Sequence, residues 1–236
     1  MFASIILPTY CECGNIAHLI SAIEANLAPL GQEIEIMVVD DASPDGTAAA
    51  VQALTPLPGF TIRCLVRQNE RGLASAIRHG ILNASGDQII VMDTDFNHSP
   101  DNLAEMLHTL QSCDLVIGSR FVKGGGMEDR KRYLGSLAFN LFIRLVLWNP
   151  VHDNLCGFFA MRRADLLAFD LESIFTGYGE YFIRLIFAVN QKKSCIREIP
   201  VFYTLRTSGE SKSHFSSMIF DYSRTTFQLL RQKFTK

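Results

Sequence analysis

Two carboxylates and an amide follow a short apolar run within QIIVMDTDFN, residues 88–97. The unbroken, β-branched run at 89–92 predicts a strand that is buried on both faces. Asp93, Asp95 and Asn97 then emerge at its carboxyl end, where open α/β sheets bind their ligands. Carboxylate and amide oxygens are ligands for Mg²⁺ or Mn²⁺, so this segment predicts a divalent metal site.

The same segment also fits a purely structural interpretation. Ser99 is a suitable N-cap residue and Pro100 a suitable first helical residue, so the two acids would then simply precede a helix. A single D-x-D pair does not decide between these alternatives.

Polar residues also follow two other predicted strands. Asp40 and Asp41 come after a strand at 35–39, and the turn PTYCE at 8–12 comes after a strand at 3–7. A carboxylate at a strand end accepts hydrogen bonds from a ribose or a base, although Asp side chains also stabilise simple turns. Like charges repel, so acids that converge on one edge predict a bound cation, with a nucleotide diphosphate as its partner.

Strands and helices alternate along the first half of the chain. The predicted strands are 3–7, 35–39, 60–66, 89–92 and 114–119, and the predicted helices are 15–27, 47–54, 72–83 and 100–110. In the second half we expect a loop at 121–132, helices at 134–148 and 177–189, strands at 157–161 and 195–202, a polar loop at 203–214 and a final helix at 215–234. Pro200 suits an edge strand. The alternation indicates one α/β domain with a largely parallel sheet.

Composition narrows the class of protein. The chain has 236 residues, 48% of them hydrophobic, and a net charge of −2. The chain lacks the excess of basic residues that is typical of nucleic-acid-binding proteins, which argues against that class. We expect no signal peptide and no transmembrane helix, since no apolar run reaches about eighteen residues. The six cysteines are scattered, which is typical of free thiols in a reducing, cytoplasmic compartment.

Segments along most of the chain resemble the polyprenol-phosphate (dolichol-phosphate) mannosyltransferases of glycosyltransferase family 2. The matching segments, which span about residues 4–212, are PTYCECGNI, VVDDASPDGT, RGLASAIRHG, VMDTDFNHSP, GSRFVKGGG, EIPVFY and RTSGESK. The resemblance implies one GT-A-like (Rossmann-like) domain over 1–236, a mostly parallel α/β sheet flanked by helices. Its parts would be a nucleotide-binding half (about 1–120), an acceptor half (about 121–214) and a C-terminal amphipathic helix (about 215–236).

The resemblance also implies roles for individual residues. Those implied to bind the nucleotide sugar are Pro8, Tyr10, Glu12, Asp40, Asp41, Asp93, Asp153 and Gly157. Those implied to hold Mg²⁺ or Mn²⁺ are Asp93, Asp95 and Asn97, the last in place of the family's usual Gln. Cations implied around the acceptor phosphate are Arg120, Arg132, Arg206 and Lys212, and the residues implied in catalysis are Asp95, Arg120 and Arg132. Two family arginines are replaced, by Phe159 and Leu137.

The implied reaction moves mannose from GDP-mannose onto a polyprenyl phosphate with inversion. The attacking phosphate oxygen is already anionic near neutral pH, so no general base is needed. The helix at 138–148 and the C-terminal helix either lie on the cytoplasmic face of a membrane or pack on the core. A membrane-anchoring subunit is a further possible partner. The alternatives are another donor such as UDP-glucose, a soluble acceptor, or a binding module without catalysis.

Overall fold

The computed structural model describes residues 2–204 and 215–235. The strands are β1 (Phe2–Thr9), β2 (Glu33–Asp40), β3 (Phe60–Val66), β4 (Gln88–Val91), β5 (Leu115–Ser119), β6 (Gly126–Met127), β7 (Phe159–Arg162), β8 (Ile196–Pro200) and β9 (Phe202–Tyr203). The helices are α1 (Ile16–Leu27), α2 (Thr47–Gln52), α3 (Leu73–Asn83), α4 (Leu103–Thr109), α5 (Arg130–Leu147), α6 (Arg163–Leu167), α7 (Leu171–Ile174), α8 (Tyr181–Gln191) and α9 (Phe215–Thr235). Two 3₁₀ turns occupy Ala28–Leu30 and Pro100–Asn102.

Seven strands form one sheet in the order β3-β2-β1-β4-β7-β5-β8. All neighbouring pairs are parallel except the two that β7 makes, with β4 and with β5. Strand β1 lies between β2 and β4, and its residues Ile5, Ile6 and Leu7 are fully buried. The prediction of a mostly parallel α/β sheet is therefore confirmed, and β8, which contains Pro200, is an edge strand as expected.

The register of the central strands sets where the polar turns meet. Thr9 of β1 pairs with Asp40 of β2, and Ile6 of β1 pairs with Val91 of β4. Because the three strands are parallel, the turns that follow them lie side by side at one edge of the sheet.

The predicted loop at 121–132 is only partly a loop. Strand β6 lies within it and pairs with β9, and helix α5 begins at Arg130, before the predicted start at 134. The reason is a cap: the Asp129 side chain accepts hydrogen bonds from the amides of Lys131 and Arg132. The short helices α6 and α7 were not predicted either.

Helices α5, α8 and α9 form a second, smaller core. Its buried members are Ile143, Leu147, Ile183, Phe187, Tyr222 and Leu229. The inner faces of the two helices that were candidates for a membrane interface are thus packed against protein.

A buried carboxylate ties the amino ends of the central strands together. Ser4 donates a hydrogen bond to Glu35, and the Gly86 amide donates to Ser4 Oγ at 2.8 Å. Burial alone would raise the pKa of Glu35, but the hydrogen bonds that its carboxylate accepts, from Ser4 first, outweigh burial and leave the pKa below its usual value.

Gly86 lies too close to β1 to accept a side chain. A Cβ atom there would be 2.6 Å from the Ser4 amide nitrogen. We expect Gly86→Ala to lower the free energy of unfolding by about 1–3 kcal/mol, because backbone must move to relieve the clash. A Cβ atom at Gly135 on α5 would meet open space, so Gly135→Ala is the control and is expected to be neutral or to stabilise by up to about 1 kcal/mol. Urea unfolding measures both, and equal losses would contradict the assignment.

Candidate active site

The three turns at the carboxyl edge share an unusual backbone feature. Cys11 after β1, Ala42 after β2 and Phe96 after β4 have φ values of 56°, 52° and 61°. Residues with a Cβ atom rarely adopt this left-handed conformation, and it persists where the surrounding structure enforces it, often at functional sites. The strained positions thus point to the edge where the polar residues gather.

Asp40 holds the turn after β2 rather than facing open space. It is fully buried, and both its oxygens accept hydrogen bonds from Ser43, from the amide at 2.9 Å and from Oγ at 2.5 Å. Ser43 Oγ in turn accepts the amide hydrogen of Cys11 at 2.8 Å. Asp40 therefore links the first two turns from behind.

Asp45 and Thr47 strengthen the same link. The Cys13 amide donates to Asp45 Oδ2 at 3.0 Å, and the Glu12 amide donates to Thr47 Oγ1 at 3.0 Å. Burial would raise the pKa of Asp45, but hydrogen bonds from Thr47 and Cys13 lower it overall. The two turns are therefore held together as one unit.

Asp41 is neutralised by a buried arginine. Arg67, itself 6% exposed, donates through Nε to Asp41 Oδ1 at 2.7 Å and also forms an ion pair with it through Nη2. The Gly72 amide donates to Asp41 Oδ2 at 2.8 Å. The expectation that these acids require a bound cation is therefore wrong for Asp41, because the protein supplies its own.

The turn after β4 carries the D-x-D pair. The Asp93 side chain is 43% exposed. Asn97 is buried, and its side-chain amide donates to Asp95 Oδ2 at 2.8 Å while its backbone amide donates to Asp95 Oδ1 at 3.2 Å. Ser99 also caps the following 3₁₀ turn, as the structural interpretation predicted. The capping role and the two carboxylates at the cavity are compatible, so this segment fits both interpretations.

A fully buried histidine supports this turn from behind. His98 Nδ1 accepts the Asp93 amide hydrogen at 2.7 Å. The ring hydrogen is therefore on Nε2, which lies 2.6 Å from Tyr203 Oη and 3.1 Å from the Cys156 carbonyl oxygen. Burial raises the pKa of the Tyr203 phenol well above its usual value and that of the Cys156 thiol to about 12, so both stay protonated.

The three turns surround a cavity of about 290 Å³. The residues that line it come from the strand ends, the start of α3 and the loop before α8: Pro8, Thr9, Tyr10, Glu12, Asp41, Arg71, Gly72, Leu73, Ala76, Asp93, Thr94, Asp95 and Tyr178. At its rim the Arg71 guanidinium lies 4.9 Å from the centre of the Tyr10 ring and donates to Tyr10 Oη at 3.2 Å.

Six of the predicted site residues line this cavity: Pro8, Tyr10, Glu12, Asp41, Asp93 and Asp95. Asp40 and Asn97 lie behind them. Gly157, with φ of 77°, contacts Tyr181 through its carbonyl oxygen, and Arg132 is exposed in the first turn of α5. Arg206 and Lys212 lie outside the described residues.

Arg120, directly after β5, and Asp153 form a buried pair. Arg120 donates to the two Asp153 oxygens through Nε and Nη2, each at 2.7 Å, and Asp153 is fully buried. The neighbouring carboxylate raises the pKa of the Arg120 guanidinium against the opposing effect of burial. In this structure, therefore, the two residues bind each other.

Sequence reasoning missed Arg67, Arg71, His98 and Tyr178. Arg71 opens the segment RGLASAIRHG and His98 lies within VMDTDFNHSP; both segments resemble the family and so offered a signal, whereas a lone Arg67 offered none. Tyr178 is positioned by Glu180, whose Oε2 accepts the Tyr178 amide hydrogen at 3.0 Å.

The carboxylate oxygens of Asp93 and Asp95 fit a divalent cation that takes its remaining ligands from water and from a bound phosphate group. Within residues 2–204 and 215–235, no three His, Cys, Asp or Glu side chains converge as a ready-made metal cluster. Asp93 and Asp95 nevertheless present two carboxylates to the cavity, and Mg²⁺ is commonly bound through one or two carboxylates, water and substrate phosphates.

Solved structures place the fold in a class. Mannosyl-3-phosphoglycerate synthase from Rubrobacter xylanophilus matches with a TM-score of 0.74 at 18% identity, over 100% of this chain and 76% of that one. Glucosyl-3-phosphoglycerate synthase from Mycobacterium tuberculosis, in complex with Mn²⁺, UDP and phosphoglyceric acid, matches with a TM-score of 0.69 at 18% identity, over 97% and 77%. At this identity the likeness concerns the fold, which is that of the GT-A glycosyltransferases.

The particular family follows from sequence comparison. The model of glycosyl transferase family 2 matches residues 4–168, and the chain belongs to that family. Dolichol-phosphate mannosyltransferase of Pyrococcus furiosus is 34% identical over 98% of this chain, which spans 64% of that relative's length. Dolichol-phosphate mannosyltransferase of Saccharomyces cerevisiae is 30% identical over 89% of this chain and 80% of its own length. Polyprenol monophosphomannose synthase of Mycolicibacterium smegmatis is 30% identical over 91% and 82%.

The Asp41–Arg67 pair generates a stability prediction. We expect Arg67→Met to cost about 3–5 kcal/mol, because it leaves a buried carboxylate without its cation. Adding Asp41→Asn to that variant is expected to recover at least half of the loss. The control is Arg78→Met, since Arg78 pairs with the exposed Glu70 at 3.7 Å and is expected to cost under about 1 kcal/mol. Denaturant unfolding measures all three, and a loss for Arg67→Met no larger than that of the control would contradict the pair's role.

Proposed function

We propose that this chain is a metal-dependent, inverting glycosyltransferase that moves mannose from GDP-mannose onto a polyprenyl phosphate. The observation that carries the proposal is the single cavity that brings Asp41, Asp93 and Asp95 together with the Tyr10–Arg71 pair. The curated relatives, named as dolichol-phosphate mannosyltransferases or a polyprenol monophosphomannose synthase, support the choice of donor and acceptor.

The nucleotide would bind between the turns after β1 and β2. Asp41 offers carboxylate oxygens that are fixed by Arg67 and Gly72, so they need no reorganisation to accept hydrogen bonds. Tyr10 offers an aromatic face at the rim, and Arg71 supplies positive charge for a diphosphate. This arrangement suits a nucleoside diphosphate with its phosphates directed towards β4.

Asp93 and Asp95 would hold Mg²⁺ or Mn²⁺. A bound divalent ion supplies positive charge to the departing diphosphate. Asn97, predicted as a third ligand, instead orients Asp95 through two hydrogen bonds in this structure. Its proposed role is therefore to fix the carboxylate that faces the diphosphate.

The proposed chemistry is a displacement at the anomeric carbon. An acceptor phosphate oxygen forms the new bond as the bond from that carbon to the nucleotide diphosphate breaks, with inversion. The acceptor oxygen carries its charge already, so no side chain has to remove a proton. Arg132, Arg206 and Lys212 remain proposed contacts of the acceptor phosphate. Arg120 is bound to Asp153, which makes a supporting role beneath the acceptor site the better proposal.

Asp95→Asn tests the role of the D-x-D turn. We expect it to lower mannose transfer at least ~100-fold and to abolish Mn²⁺-dependent GDP binding, because an amide holds a divalent ion far less strongly than a carboxylate. Asp87→Asn is the matched control, since Asp87 is exposed and precedes the opposite, amino end of the same strand β4. Mannolipid formation and calorimetric titration with GDP and Mn²⁺ are the measurements. Retained transfer in Asp95→Asn would refute the metal site.

A donor panel separates the proposal from its alternatives. GDP-mannose, UDP-glucose and UDP-galactose are offered with and without a polyprenyl phosphate, and nucleotide release is measured. Release that needs both GDP-mannose and the lipid phosphate is the expected result. A preference for UDP-glucose would change the donor, and nucleotide binding without turnover would favour a non-catalytic module.

A surface for the lipid acceptor runs along α5. Its exposed large apolar residues follow helical spacing and are Leu134, Leu137, Leu141 and Leu145, and the exposed Trp148 follows directly after the helix. On α9, Phe220, Phe227 and Phe234 are also exposed, and Phe234 lies 6.0 Å from Trp148 between ring centres. We call these residues the apolar stripe. Arg130, Lys131 and Arg132 are exposed at the start of α5.

We propose that the apolar stripe lies on an anionic membrane surface. Apolar side chains flanked by basic residues are typical of interfacial helices, and a contiguous exposed apolar patch marks an interaction site. Among the described helices none is both long and apolar enough to cross a bilayer. Such contact would bring a polyprenyl phosphate to the start of α5, where Arg132 lies.

Vesicle binding tests the apolar stripe. Leu141→Glu with Leu145→Glu is expected to weaken binding to anionic vesicles at least about tenfold, since two apolar side chains lose their burial in lipid. Leu82→Glu is the control, because Leu82 is similarly exposed but lies on α3. Co-sedimentation measures both variants, and unchanged binding by the double variant would exclude this face.

A further inference from the structure

His98, which is buried behind the D-x-D turn, connects that turn to strand β9, a segment distant in sequence. His98 accepts the amide hydrogen of Asp93 through one ring nitrogen and faces the Tyr203 hydroxyl through the other, at 2.7 and 2.6 Å. Both contacts are within hydrogen-bond distance and both are shielded from water, since His98 is fully buried and Tyr203 is 8% exposed. Hydrogen bonds in such an environment resist rearrangement.

The backbone of Tyr203 continues the connection to helix α5. Its carbonyl oxygen accepts the Glu128 amide hydrogen at 2.9 Å, and Tyr203 pairs with Met127 in the two-stranded β6–β9 pair. Glu128 directly precedes Asp129, the N-cap of α5. Tyr203 thus contacts the D-x-D turn through its side chain and the start of α5 through its main chain.

Neighbouring groups leave this connection little freedom. Phe158 stacks on the His98 ring, with ring centres 4.7 Å apart and planes 12° apart. On the other side the Arg120 guanidinium lies 4.8 Å from the centre of the Tyr203 ring and is itself fixed by Asp153. A displacement of the turn must therefore move the rings together rather than be absorbed by a rotation of one side chain.

We propose that His98 and Tyr203 are positioning residues that couple the D-x-D turn to the start of α5, so that the diphosphate side and the acceptor side of the site are aligned by one buried hydrogen-bonded chain. The identity of the two sides rests on the proposed function, whereas the hydrogen bonds of His98 do not. A shift at Asp93 on ligand binding would pass through the two rings to β9 and to the first turn of α5, where Arg132 lies. Coupling of this kind requires a contiguous, ordered element that contacts both sites.

Conservative variants separate the two contacts of His98. In His98→Asn the amide oxygen takes the position of Nδ1 and still accepts the Asp93 amide hydrogen, but the side chain ends short of Tyr203. In His98→Gln the amide nitrogen reaches towards Tyr203, and the acceptor for Asp93 is lost. Tyr203→Phe removes the hydroxyl alone. Tyr133→Phe is the control. Tyr133 lies on α5 against Phe121, with ring centres 5.1 Å apart, and takes no part in the His98–Tyr203 contact.

Amide hydrogen exchange in the ligand-free protein tests the Asp93–His98–Tyr203 connection without relying on catalysis. We expect His98→Gln to speed exchange of the Asp93 amide at least tenfold, because its acceptor is removed. His98→Asn and Tyr203→Phe keep an acceptor that is no longer anchored to β9, so each is expected to speed that exchange at least about fivefold. Tyr133→Phe is expected to leave that amide within about twofold of the wild type. Exchange of the Asp93 amide in Tyr203→Phe within twofold of the wild type would overturn the proposal. Thermal melts verify that each variant is folded, and His98→Gln serves if Tyr203→Phe is not.

Titration with GDP and Mn²⁺ then tests the coupling. In the wild type these probes are expected to slow exchange at 93–97 and also at 126–132. In Tyr203→Phe and His98→Asn the first effect is expected to persist and the second to be lost. Protection at 93–97 without protection at 126–132 in the wild type would overturn the coupling. If GDP and Mn²⁺ protect neither segment while the ligand-free result holds, the nucleotide site fails and the positioning role stands.

Discussion

The parallel pairing of β1 with both β2 and β4 is the constraint on which the site depends. It places three turns at one edge of the sheet, and each turn contains a residue in the left-handed conformation that the surrounding hydrogen bonds enforce. The network through Asp40 and Ser43 fixes two of the turns to each other. These hydrogen bonds therefore hold in place the residues of the first two turns that line the cavity.

Buried arginines compensate two of the acids, Asp41 and Asp153. Arg67 neutralises Asp41, and Arg120 occupies both oxygens of Asp153. Asp41 lines the cavity together with Asp93 and Asp95, and the Asp93 side chain is 43% exposed. Charge compensation by buried arginines thus fixes Asp41 at the wall of the cavity and Asp153 within the interior.

Helices α5 and α9 serve two purposes with two faces. The inner face of each packs with α8 into a second core, to which α5 contributes from its C-terminal half. The outer face carries the apolar stripe beside the exposed basic residues at 130–132. The surface proposed to bring a lipid to the site and the element that positions the site are thus parts of the same helix pair.

The sequence by itself determined the order of the longer strands and helices, the mostly parallel sheet and the gathering of Pro8, Tyr10, Glu12, Asp41 and the D-x-D pair, because hydrophobic periodicity and strand-end placement are local signals. It also determined the family, through motifs whose order is specific. Only the tertiary structure decided that β7 runs antiparallel and that Arg120 binds Asp153, because strand direction and long-range pairing leave no local pattern. The same holds for His98, which a sequence shows merely as one more residue after the D-x-D pair; its role follows from a contact with Tyr203, 105 residues away.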